Sequence, residues 1–67
     1  MKWIRAFWNG RELWIGYRDY HRFGRIQYWG RMYEAVPFEN GKYNRQRRQK
    51  FPELAEAKKY LEGLEPN

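Results

Sequence analysis

Strand-like alternation runs through the first half of the chain, and a helical repeat closes it. Residues 2–8, 11–18 and 25–35 read as strands, rich in Trp, Ile, Tyr and Phe and bounded by turn-forming residues. Successive strand side chains point to opposite faces. Alternation therefore predicts one face of Ile4, Ala6, Trp8, Leu13, Ile15, Tyr17, Ile26, Tyr28 and Met32. The other holds Trp3, Arg5, Phe7, Trp14, Gly16, Arg18, Gln27, Trp29, Arg31 and Tyr33. The first contains all three isoleucines and reads as core. The second mixes rings with guanidiniums, has no aliphatic residue, and reads as exposed.

Asn9-Gly10 between the first two runs is a strong signal for a tight hairpin, because both residues tolerate positive φ. Residues 19–24 read as a looser connection, and Gly30 as a bulge inside the third strand. Pro37 ends regular pairing or sits on an edge, and Asn40-Gly41 marks a second turn. Residues 43–51 read as a fourth strand or as an extended basic arm, since alternation there is poor. The spacing of Leu54, Ala57, Leu61 and Leu64 predicts a helix over about 53–63, with Glu53 as N-cap and Glu56 completing a capping box. Gly63 is expected to stop it in the left-handed conformation. The fold class is then α+β: a three- or four-stranded antiparallel meander with one C-terminal helix packed on the aliphatic face.

Sixty-seven residues form one small domain (1–67), in which fourteen aromatic residues supply much of the buried area. Residues 1–51 carry twelve Lys/Arg against four Asp/Glu, a net +8, while residues 52–67 carry two against four, a net −2. A basic body with a slightly acidic tail suits a polyanionic partner; it also serves solubility. Cysteine, serine and threonine are all absent, which removes the usual acyl nucleophiles and any disulfide. His21 is the one histidine and Asp19 the one aspartate, so no transition-metal set and no acid–base pair emerges. No phosphate-binding glycine loop is present. The expectation is a non-enzymatic protein without cofactor or metal. Lys2 is followed by Trp-Ile-Arg rather than an apolar stretch, so neither a signal peptide nor a membrane span is predicted, and the location is read as cytoplasmic.

Two constellations carry the candidate function. On the ring-and-guanidinium face, Arg5, Trp14, Arg18, Trp29, Arg31 and Tyr33 would stack on bases and clamp phosphates. In the 45–50 segment, Arg45, Arg47, Arg48 and Lys50 would neutralise phosphates. Nucleic acid is the favoured partner. The alternative is a protein–protein module, such as a phage- or virus-type inhibitor acting on a host protein, because Trp, Tyr and Arg also dominate interface hot spots. Homodimerisation through the aromatic face is a third option.

Gly41, Arg45, Arg47, Arg48, Lys50-Phe51, Glu56-Ala57-Lys58 and Tyr60-Leu61 resemble the end of the arm-type N-terminal DNA-binding domain of phage and transposon tyrosine integrases. The resemblance covers about a third of the chain. It implies a three-stranded sheet backed by one helix, with the sheet entering the major groove, and so favours DNA over RNA. It does not imply integration itself. Trp29-Gly30-Arg31 with a later Glu-Ala helix also resembles the WGR domain, associated with DNA ends, but the glycine-rich turn usual after that motif is missing here.

Overall fold

A computed structural model describes residues 1–64. Its backbone is an antiparallel meander of β1 (Lys2–Trp8), β2 (Arg11–Arg18), β3 (His21–Tyr28) and β4 (Tyr33–Glu39), joined by short links. Two short strands, β5 (Lys42–Tyr43) and β6 (Gln49–Phe51), share the outer edge of β4, with a 3-10 turn at Arg45–Arg47 between them. The helix α1 (Leu54–Glu62) closes the described chain and packs on one side of the sheet. The α+β class and the meander with a C-terminal helix are as expected from the sequence.

Three two-residue turns fold the meander. Asn9-Gly10 and Asn40-Gly41 have positive φ at both positions (52° and 74°, 52° and 81°), as their sequences predict. The third is Asp19-Tyr20, also left-handed at both positions (50° and 70°) although neither is glycine. The region expected to be a loose connection over 19–24 is therefore a tight turn, and β3 starts at His21. The single strand expected over 25–35 is instead two. Gly30, at φ 90°, turns the chain between them, where the Trp29 amide donates to the Met32 carbonyl at 3.0 Å and the Tyr28 hydroxyl to the Gly30 carbonyl at 2.7 Å.

Pro37 lies inside β4 opposite Gly24. Its carbonyl accepts from the Asn44 amide at 2.8 Å, so the side on which it lacks an N–H faces the gap between β5 and β6. The helix begins after Glu53 as expected, but the Glu53 side chain makes no cap hydrogen bond. Gly63 ends the helix at φ −85°, not in the left-handed region.

The register between β2 and β3 decides which face becomes core. The turn pairs Arg18 with His21 and Tyr17 with Arg22, and continuing that count would set Leu13 opposite Ile26. A bulge between Gly16 and Tyr17 intervenes, so that Gly16 pairs with Gly24, Trp14 with Ile26 and Leu13 with Gln27. One extra residue reverses the facing of every side chain beyond it. The two faces of β1 and β2 are sorted as alternation predicts, but the one expected to be exposed is the one that becomes core. Trp3, Trp14 and Phe23 pack with Tyr33, Phe51, Leu54, Tyr60 and Leu64 around a buried centre of Ile26, Ala35, Ala57 and Leu61. The helix covers this aromatic side, not the aliphatic one. Two glycines admit it: a Cβ on Gly24 would lie 2.9 Å from Leu61 Cδ1, and one on Gly16 would lie 2.6 Å from the Phe23 ring. Phe23 in turn meets Trp3 edge-on, with ring centres 5.2 Å apart.

Candidate nucleic-acid interface

The residues nominated from the sequence divide into three groups. Trp14, Arg18 and Tyr33 are half-buried on the helix side. Trp14 lies 5.8 Å from Tyr33, whose ring is 4.8 Å from Tyr28. Arg18 lies over Phe23 at 5.2 Å and donates to the Glu62 carbonyl at 3.3 Å, at the end of the helix. Arg5, Arg47 and Arg48 are exposed but face carboxylates: Arg5 and Glu12 at 2.6 Å, Arg47 and Glu39 at 2.7 Å, Arg48 and Glu34 at 3.8 Å. Trp29, Arg31, Arg45 and Lys50 are exposed. The structure does not gather these ten residues on one surface.

A different basic surface emerges on the sheet face away from the helix. The strand pairings place Lys2, Arg11, Arg22, Arg25 and Lys50 on it, with Glu34 as the one carboxylate among the described strand positions there. The helix-side strand positions are nearly balanced, with Arg5, Arg18 and Lys42 against Glu12 and Glu39. Rings accompany the cations. Arg11 lies 4.5 Å over the Trp29 ring, whose indole N–H donates to Glu34 at 3.4 Å. Tyr43 is flanked by two guanidiniums: Arg22 Nη1 is 3.2 Å from its hydroxyl, and Arg25 sits 4.6 Å from its ring centre. Phe38 packs edge-on against Tyr43 at 5.0 Å and lies 5.3 Å beneath Arg22.

The hydrogen bond to Tyr43 and the charge interaction with its phenol raise the Arg22 pKa above its ordinary value, against desolvation and with a smaller contribution from Tyr17. Arg25 Nε is buried and without a hydrogen-bond partner. Aromatic rings flank both cations.

Sequence reasoning missed Arg11, Arg22, Arg25 and Tyr43. A signal was present, since Gly16 and Gly24 are strand glycines of the kind that mark a bulge. The same face is apolar toward β1, where Ile4 pairs with Ile15 and Ala6 with Leu13. Ile4 is 42% and Trp8 60% exposed.

A cleft of about 410 Å³ lies between the β2–β3 and β4–β5 turns and the end of α1, lined by Phe23, Pro37 and Leu61 with Arg18, Arg22 and His21 at its walls. Among the described residues no group of His, Cys, Asp and Glu could hold a metal ion, and no helix is long and apolar enough to cross a membrane. Comparison with protein-family models, curated proteins and solved structures finds no match for this chain.

Proposed function

We propose that this chain is a non-enzymatic nucleic-acid-binding module whose contact surface is the sheet face away from the helix. The observation that carries this reading is the segregation of charge: five cations and one carboxylate among the described strand positions of that face, against near balance on the other. In this reading Arg22, Arg25, Lys50 and Arg11 meet phosphates, and Trp29, Tyr43, Tyr17 and Trp8 offer ring faces to bases. Stacking contributes about 1–3 kcal/mol per base. Exposed Arg31 and Arg45 extend the basic margin, whereas Arg47 and Arg48 must exchange a carboxylate for a phosphate. The arm-type resemblance at 41–61 favours DNA over RNA.

The test is a titration of the tryptophan fluorescence with mixed-sequence single- and double-stranded oligonucleotides over a range of salt. Four phosphate contacts predict a slope of log affinity against log salt of about −3 to −4. Arg25→Gln should shallow the slope by roughly one, and Trp29→Ala should weaken binding with the slope unchanged. Absence of quenching at low salt, or an affinity independent of salt, refutes the proposal. The half-exposed aliphatic strip of Ile4, Ala6, Leu13 and Ile15 favours a second reading, a protein-binding module. Binding of a host protein that persists at high salt would select it.

A further inference from the structure

β1 stands at the open edge of the sheet: it pairs with β2 on one side, and among the described residues no strand lies on the other. Its seven residues are long for an edge and contain neither proline nor a bulge. Ile4, Phe7 and Trp8 are 42%, 63% and 60% exposed beside it. Natural edges of this kind are blunted or occupied. Its one central charge, Arg5, is already matched by Glu12 at 2.6 Å.

We propose that the occupant is a second copy of this chain, joined through antiparallel β1–β1 pairing about a two-fold axis at Arg5. The strand is complementary to itself. In that register Lys2 faces the partner's Trp8, Trp3 faces the partner's Phe7, and Ile4 faces the partner's Ala6. Residues directly opposite share a face and their side chains touch. Each copy thus sets a cation against a ring, a ring against a ring, and an aliphatic side chain against another, with each contact repeated by symmetry. The Ile4–Ile15 and Ala6–Leu13 pairs extend across the axis as continuous apolar rows. The two Arg5 side chains meet at the axis, each with its own Glu12 carboxylate, so charge is balanced where the copies are closest. Shifting the register by two residues in either direction leaves two of the seven residues of each strand unpaired. The axis stands perpendicular to the sheet, so both basic faces lie on the same side of one continuous sheet. This inference does not depend on the nucleic-acid reading.

The chain has no cysteine, which makes the test clean. Sedimentation of the full chain through the micromolar range should show a concentration-dependent dimer. Arg5→Cys should form an intermolecular disulfide under mild oxidation, because residues opposite each other at the axis have Cα atoms about 4.5–5.5 Å apart. Phe7→Cys should not, since the two Phe7 positions are offset by four residues, about 13 Å. Both side chains are exposed, so neither change disturbs the core. A mixture of Lys2→Cys and Trp8→Cys, both at exposed positions that face each other in this register, should cross-link to each other. A monomer at all concentrations overturns the proposal, as does cross-linking of Phe7→Cys as fast as Arg5→Cys.

Discussion

Gly24→Ala is the sharpest test of how closely α1 is seated on β3. Gly24 pairs with Gly16 and faces α1; a Cβ there would sit 2.9 and 3.1 Å from the two Cδ atoms of Leu61 and 3.2 Å from the Val36 carbonyl oxygen. Leu61 is 1% exposed and closed in by the core, so it has little room to yield. Overpacking of this kind costs about 1–3 kcal/mol. Replacing a strand glycine returns roughly 0.5–1 kcal/mol, because the unfolded chain loses freedom. The expected net loss is about 1–2 kcal/mol, a large share of the roughly 3–5 kcal/mol available to a domain of this size. In a thermal melt followed by circular dichroism, each kcal/mol should lower Tm by about 4–8 °C.

A double-mutant cycle makes the cause specific. Leu61→Val removes the two Cδ atoms that collide, so Gly24→Ala should cost at least 0.5 kcal/mol less in that background, the usual floor for coupled neighbours. Gly24 shares the face of Ile26 with or without the bulge, so the register itself is read at Gly16: with the bulge a Cβ there would lie 2.6 Å from the Phe23 ring, whereas without it Gly16 would lie on the face away from Ile26 and alanine would be tolerated. An unchanged or raised Tm for Gly24→Ala, or additivity with Leu61→Val, refutes the seating of α1 on β3, and an unchanged Tm for Gly16→Ala refutes the register and with it the facing of β1 and β2.

Tyr20→Gly should raise the urea midpoint, by about 0.5–1 kcal/mol of stability, because Tyr20 is fully exposed and held at φ 70°, where an L residue is strained and glycine is not. Trp3→Phe keeps the ring against Phe23 but removes the 2.8 Å bond to Glu62; a loss of about 1 kcal/mol in urea unfolding is expected, and no loss would show that bond to be idle. Arg47→Ala breaks an exposed pair with Glu39 and should cost no more than about 1 kcal/mol; a larger loss in chemical denaturation would mean the 3-10 turn relies on that pair.

Local features were legible because local chemistry produces them. Two Asn-Gly turns, the stripe of Leu54, Ala57, Leu61 and Leu64, and the alternation in β1 and β2 each act over a few residues. The Asp19-Tyr20 turn escaped notice because tyrosine at positive φ has no propensity signal. The candidate surface was misplaced for a related reason. Trp14 and Arg18 share a face with Gly16 by alternation alone, but whether that face meets solvent or the helix depends on Phe23, the one residue left unpaired between β2 and β3.

The amino-acid sequence by itself determined the α+β class, the antiparallel meander, the apolar stripe of the closing helix and the basic character of the body, since periodicity, turn chemistry and charge are properties of short segments. Only the tertiary structure decided which sheet face the helix covers. Both faces of β1 and β2 are apolar enough to serve. The choice fell to the Gly16–Gly24 gap, which accepts Phe23 and Leu61, and to the bulge that aligns Trp14 with Ile26. Large rings bury more area than the aliphatic side chains they displaced, and close packing needs the space that only glycine leaves. The basic face follows from that packing: with Ile26 buried, Arg25 alternates outward, and the unpaired residue Phe23 turns Arg22 to the same side.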